Sequence, residues 1–311
     1  MAGSSPISLT AALIKMASML LTVLCPAAVL LAEHPIDVER SAAQAEYFRA
    51  MATFDKLPAR KASKSSRLAA AKSAWALGLT ERASKEFDQL LREPGLTLKE
   101  QGQALVARAI IEFQEDRYQV ASLFAERAVK AIEAGAIRAQ AYGVWGAALS
   151  RMNSWGAAEE KLRTALEEAA LSDKARYHFE LGNCQLRLNK LAQARSNFES
   201  IPIDDDYAPA AVRGLAQIAL QSSNYSDLRF WLERGRSDFP QHFIDSWVYY
   251  ALAQAAIAEK DGTKLIELSQ EAANRYPPSD PWITLMQGGI EAHFWENPPG
   301  RIPKVEEGRK P

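Results

Sequence analysis

Along most of the chain, apolar residues recur three or four positions apart in segments separated by short polar turns, the spacing of helices with one buried face. Strand-like alternation is absent between residues 37 and 295, so the pattern predicts helices throughout that region and no sheet. The arrangement also returns at a period of roughly 34 to 38 residues, the signature of a repeat array. In residues 175–208, Leu181 and Gly182 stand in the middle of a first helix, Leu191 opens a second, and Ala194 and Phe198 follow within it. Small residues at Gly182 and Ala194 let two antiparallel helices approach closely, while Leu181 and Phe198 fill the space beside the contact.

The same frame recurs upstream at 139–172, with Tyr142, Gly146, Trp155, Ala158, Leu162 and Ala165, and at 102–135, with Leu105, Ala109, Tyr118, Ala121, Ala125 and Ala128. Downstream it returns at 209–242, with Val212, Ala216, Tyr225, Leu232 and Pro240, and at 246–279, with Tyr249, Leu252, Ala253, Ala272 and Pro277. A more divergent copy at 64–96 carries Ala71, Gly78, Ala83, Phe87 and Leu90. Five to six copies thus fill residues 64–279, and in this pattern the chain resembles the tetratricopeptide repeat family. The resemblance implies an all-α fold, a right-handed α-solenoid of antiparallel helix pairs. A lone hairpin cannot bury its apolar face, so the copies must stack and the ends need caps. Ser279, Asp280 and Pro281 form a helix start, and the cap they open over 280–295 is expected to close the last repeat through Trp282, Leu285, Ile290 and Phe294. Before the array, residues 33–63 read as one long amphipathic helix over 37–56, with Tyr47, Met51 and Phe54 on its stripe, followed by a linker with Pro58 and several serines. The proline-rich tail, 296–311, is expected to be disordered.

Residues 16–32 hold no charge and follow Lys15. A bilayer span needs about 20 apolar residues, and Pro26 interrupts this run, so residues 1–32 fit a secretory signal peptide cut after Ala32 better. Leu30 departs from the small residue usual before such a cut. A signal anchor over 11–32 is the alternative. A lipoprotein signal fits less well, because Leu24 stands directly before Cys25 where a small residue is usual. Either main reading places the mature chain outside the cytoplasm, free in the periplasm or anchored to the inner membrane, with membrane contact only through this segment.

The 311 residues include 37 basic and 38 acidic side chains, a net charge of −1, which leaves no global field for nucleic acid. Two cysteines, Cys25 and Cys184, are too few for a disulfide framework, and Cys184 reads as a small buried hydrophobe. The four histidines share no metal-ligand spacing, and there is no phosphate-cradling loop, zinc motif or nucleophile elbow. The triplet Asp204, Asp205 and Asp206 falls between two repeats, where acids favour the start of the next helix. The tryptophans, among them Trp145, Trp155, Trp231 and Trp247, read mostly as packing residues. No enzyme, cofactor or metal is predicted.

What remains is a surface. In tetratricopeptide arrays the first helices line the concave face. The resemblance therefore puts Gln140, Ser150 and Arg151, then Arg176, Phe179, Asn183, Leu186 and Arg187, then Arg213, Gln217 and Gln221 in one groove, with Glu180 its only acid. The family's clamp for a chaperone's terminal carboxylate is not reproduced, since its asparagine and lysine positions hold Ala147, Ala210 and Gly214. The expectation is a non-enzymatic scaffold or assembly factor of the cell envelope that holds an acidic protein segment. A membrane-anchored subunit of an envelope complex, a polysaccharide-binding or export module and an envelope hydrolase are the alternatives.

Overall fold

The computed structural model describes residues 34–297. The expected signal or anchor segment and nearly all of the expected disordered tail lie outside them. Among the described residues there are fifteen α-helices and no strand. They fall into two compact units, divided between Gly78 and Leu79.

The first unit holds α1 (Pro35–Ala43), α2 (Tyr47–Lys56) and α3 (Lys64–Ala76), each packed on the other two. Here the structure corrects the sequence reading, because 37–56 is a hairpin and not one helix. Ala45 adopts φ 59°, and the Glu46 N–H donates back to the Ser41 carbonyl at 2.8 Å, which closes α1 with a Schellman turn. The expected stripe shifts accordingly: Ala50 and Met51 are buried, while Tyr47 and Phe54 are only half-buried. Part of the expected linker is a 3₁₀ turn over Ala59–Lys61, and Ser63 caps α3 by accepting from the Ser66 N–H at 3.0 Å.

The second unit runs from α4 (Thr80–Arg92) through five helix pairs: α5 (Leu98–Gln114) with α6 (Tyr118–Ala131), α7 (Ala136–Arg151) with α8 (Trp155–Glu168), α9 (Lys174–Arg187) with α10 (Leu191–Glu199), α11 (Ala208–Gln221) with α12 (Tyr225–Asp238), and α13 (Ser246–Glu259) with α14 (Gly262–Ala273). α15 (Pro281–Glu296) closes it against α13 and α14. Each helix packs on the next, and first helices also touch first helices, so the pairs stack in a row. The copy read at 64–96 is divided, with α3 in the first unit and α4 in the second.

One turn is repeated in every pair. Asp116, Asn153, Asn189, Ser223 and Lys260 adopt φ between 54° and 60°, roughly every 34 to 37 residues. The residue after each donates its N–H to a carbonyl five positions back, at 2.8 to 3.0 Å. Measured from these turns, buried side chains fall at fixed offsets. In the first helices the position is Ala109, Gly146, Gly182, Ala216 and Ala253. In the second helices it is Ala121, Ala125 and Ala128, then Ala158, Leu162 and Ala165, then Ala194 and Phe198, with Ile201 just past the helix end taking the third place. The Phe198 ring lies between two glycines: a Cβ on Gly182 would stand 2.7 Å from it, and one on Gly214 2.6 Å.

At the C-terminal end Asp280 caps α15 as expected, accepting from Trp282 N at 2.9 Å and Ile283 N at 3.2 Å. The buried stripe is Ile283, Met286, Ile290 and His293, however, and Trp282 and Leu285, expected to close the repeat, are 39% and 56% exposed.

The glycine contacts give a test by sign. Both Gly182 and Gly288 are in helix interiors, where alanine is intrinsically favoured. Gly288 has nothing within 4 Å of an added Cβ, so Gly288→Ala is expected to raise the unfolding free energy in urea by about 0.5 to 1 kcal/mol. Gly182→Ala is expected to lower it by about 1 to 3 kcal/mol, because Phe198 cannot retreat.

Candidate functional site

Residues 176, 180, 183 and 187 follow helical spacing on one side of α9, which puts them on a single stripe. That stripe forms one wall of a cavity of about 410 Å³ lined by Arg151, Arg176, Phe179, Asn183, Arg187 and Gln217. Leu186 also touches it, though it is only 9% exposed. Eight of the eleven residues expected in the groove, Ser150 among them, therefore line this cavity, and Gln140, Arg213 and Gln221 do not. Phe179 contributes an edge only, since its ring packs on Tyr207 and Phe198 with centroids at 5.3 and 6.2 Å.

Arg213 is engaged elsewhere. Its guanidinium donates to Asp245 at 2.7 Å and to the His242 carbonyl at 2.8 Å, and it lies over the rings of Phe243 and Trp247. It joins α11 to the start of α13 and does not line the cavity.

The other three arginines are exposed, and none forms an ion pair among the described residues. Each lies beside a ring instead: Arg151 by Phe113 at 6.0 Å, Arg176 by Tyr177 at 5.9 Å and Arg187 by Trp155 at 5.8 Å. Phe113 and Trp155 line the cavity too. Sequence reasoning missed Phe113 and read Trp155 as a packing residue; its place at the head of a second helix, beside the end of the first, was the available signal.

Glu180 is partly buried in the cavity wall. Burial pushes its carboxyl above the usual range, and Arg176 and Arg151 pull it back only in part. Cys184 is buried beneath, with its Sγ 3.0 Å from Ser150 Oγ. Burial pushes its thiol up to about 11, against the pull of Ser150, so it carries almost no thiolate near neutral pH.

A buried polar chain holds the walls in place. Glu159 of α8, 4% exposed, accepts from Lys190 at 2.6 Å, Arg163 at 3.1 Å and Gln185 at 3.3 Å. Gln185 accepts from Asn197 at 2.8 Å, and Asn197 bonds His178 Nδ1 at 2.8 Å. His178 is thereby engaged in packing. The Asp204 to Asp206 turn is likewise local: Asp205 Oδ1 accepts from the Tyr207 N–H at 2.9 Å. Among the described residues no group of three or more His, Cys, Asp or Glu is placed to hold a metal ion, and no helix is long and apolar enough to cross a membrane.

No protein-family model and no curated protein matches the chain. Among solved structures it is similar to PilF of Pseudomonas aeruginosa, at 17% identity and a TM-score of 0.57, over 72% of this chain and 96% of that one. It is also similar to a tetratricopeptide repeat protein from Parabacteroides merdae, at 14% identity and a TM-score of 0.55, over 75% and 87% of the two chains. The fold is the tetratricopeptide-repeat solenoid. PilW, a widely conserved type IV pilus biogenesis factor, shares this solenoid at 13% identity and a TM-score of 0.57, over 72% of this chain and 98% of PilW.

The perturbed carboxyl gives the solenoid a pH signature. Ionised Glu180 is disfavoured more in the folded chain than in the unfolded one. Its destabilising effect is therefore complete above its raised folded value and absent below the ordinary carboxylate range. Glu180→Gln is expected to raise Tm at about pH 8, with the gap over the parent closing as the pH falls to about 4. A gap that stays constant over that range would show that Glu180 ionises as in the unfolded chain. Alkylation followed by peptide mapping should find Cys184 labelled far more slowly in the native protein than in urea.

Proposed function

We propose that this protein is a non-catalytic binding scaffold that holds an extended protein segment bearing carboxylates along its first helices. The observation that carries this reading is three exposed, unpaired arginines, Arg151, Arg176 and Arg187, around one cavity. Other cations of the stack are matched within the chain, Arg138 by Glu168, Arg195 by Asp227 and Arg229 by Glu259. A guanidinium offers paired N–H donors in the geometry a carboxylate accepts. Asn183 and Gln217 supply amides that can bond a bound backbone, and Phe179 and Leu186 give the cavity apolar edges. Arg213 supports the adjoining helix and does not meet the segment.

The segment is met outside the cytoplasm in this reading, residues 1–32 acting as a signal peptide or 11–32 as an anchor to the inner membrane. The uncharged run before Glu33 supports this, and PilW, a pilus biogenesis factor, offers a parallel for a solenoid serving assembly. A reporter active only after export, fused behind the full chain, is expected to be active. Mass spectrometry of the native protein separates the two modes, a start at Glu33 meaning cleavage and an intact N-terminus an anchor.

The groove is tested by reversing its charge. Arg176→Glu with Arg187→Glu should weaken capture of an acidic peptide at least tenfold while stability changes by no more than about 0.5 kcal/mol each, as for exposed sites. The control is Arg236→Glu on α12, an exposed cation of a second helix. Lys161 and Arg163 would be poor controls, since Lys161 lies 4.6 Å from the Trp145 ring and Arg163 pairs with buried Glu159. Equal affinity of the double variant and the parent would leave the basic face as a solvated surface only.

A further inference from the structure

The arginine cavity does not end at α9. Leu186, Arg187 and Gln217 line both it and a second cavity of about 400 Å³, so the two form one continuous groove. The second cavity lies where α11 and α13 stand further apart than other successive first helices. Its remaining walls are Leu220 and Gln221 of α11, Trp247 and Tyr250 of α13, and Trp282 in the first turn of α15. No acid lines this stretch.

Its surface differs in kind from the first cavity. The rings of Tyr250 and Trp282 lie 5.1 Å apart at 41°, and Trp247 is backed by the Arg213 guanidinium at 5.0 Å, itself fixed by Asp245. The platform is thus braced from behind by an arginine that the first cavity does not use. Trp282 is 39% exposed although Ile283 beside it is 1% exposed, so the core does not require the indole where it stands. Gln217 and Gln221 follow each other by one turn of α11, their amides beside the rings.

Rings flanked by an aliphatic side chain and by amides suit an extended peptide. A proline or aromatic side chain stacks on the rings while the amides bond its backbone. Packed helices lie about 8 to 10 Å apart, so the two steps from α9 to α13 span about 20 Å. An extended chain covers that in about six residues at about 3.3 Å each.

We propose that the groove reads a two-part protein segment, with carboxylates against Arg151 and Arg176 and, about six residues away past Arg187 at the junction, a proline or aromatic residue on Trp247, Tyr250 and Trp282. This deepens the reading of the arginine cavity and rests on it. Its new content is the second contact and the distance between the two.

The probe is a series of fluorescent synthetic peptides in which an Asp-Glu-Asp block is joined, in either order, to Pro-Trp-Pro by Gly-Ser spacers of about two, six or twelve residues. Anisotropy with the full chain is expected to show the tightest binding near six residues, in one of the two orders. Trp282→Ala, at an exposed position, should cost that peptide about tenfold and leave the acidic block alone unaffected. Leu285→Ala, at an exposed position of α15 outside both cavities, should bind as the parent does. The platform assignment is overturned if no joined peptide binds more tightly than the acidic block alone, or if Trp282→Ala changes nothing while Arg176→Glu with Arg187→Glu does. In both cases the arginine cavity stands. Displacement of the peptide's Trp block by a neutral oligosaccharide such as chitohexaose would overturn the peptide in favour of a glycan. Binding of every peptide unchanged by the arginine reversal would remove the reading of the first cavity as well.

Discussion

The close approach of helices at one small residue per pair sets the spacing of the second unit. At the centre, Phe198 of α10 is held between Gly182 of α9 and Gly214 of α11, with no room for a methyl group on either. That single ring fixes both the distance within one pair and the distance to the next. Elsewhere the partners change and the rule holds. Gly146 faces Leu162, and Ala109 and Ala216 stand at the same place with second-helix side chains buried against them. Alanine and glycine do not drive this stacking by their own burial. They admit larger neighbours, whose removal from water supplies the free energy at about 25 cal/mol per Å².

Close packing also decides where charge can go. A second helix that carries an acid toward its neighbours must have it paired, because a buried charge left alone is costly. Glu159 shows the outcome: burial pushes its carboxyl up, yet bonds from Lys190 and Gln185, with the charges of Lys190 and Arg163, hold it below the usual range. Glu168 is held down likewise, first by Arg138. With these acids engaged between helices, Arg151 of α7 and Arg176 and Arg187 of α9 form no ion pair among the described residues, and Glu180 is the one acid that lines their cavity. The basic groove is thus a remainder of the pairing inside the stack, and the chain's near-zero net charge conceals it.

Much of this was legible in sequence, and the failures have physical causes. The frame could be read because Gly146, Gly182, Ala158 and Ala194 must be small, and position selects for that. The turn between helices could not, because its left-handed residue is Asp, Asn, Ser or Lys from pair to pair, and only the first two favour that conformation. At Ala45 even that signal is absent, so a hairpin read as one helix. Trp282 and Leu285 were assigned to the core by apolarity, whereas the cap turns Ile283 and Met286 inward. Arg213 has the right helix position for the groove. Asp245, which diverts it, lies 32 residues on in a loop that periodicity does not describe.

One substitution of size within the repeat marks the place of the cavity. Between α5 and α7 the first helices lie close, but α7 and α9 approach less closely. There Tyr177, 2% exposed, presses its ring against Gly143 and sets its hydroxyl 3.3 Å from the Ala139 carbonyl, a bulk that the other first helices do not place at this point. The ring fills the space between α7 and α9 there, and further along the cavity is bounded by Arg151, Arg176 and Glu180. Because the ring is buried and the chain from Glu159 to His178 ties α8, α9 and α10 together, the opening exists before anything enters it. A segment that binds there need not force the helices apart, so less of its interaction energy is lost to ordering the site. A preformed opening is also the condition for a groove to measure spacing in a partner, since only walls held in place beforehand set a length.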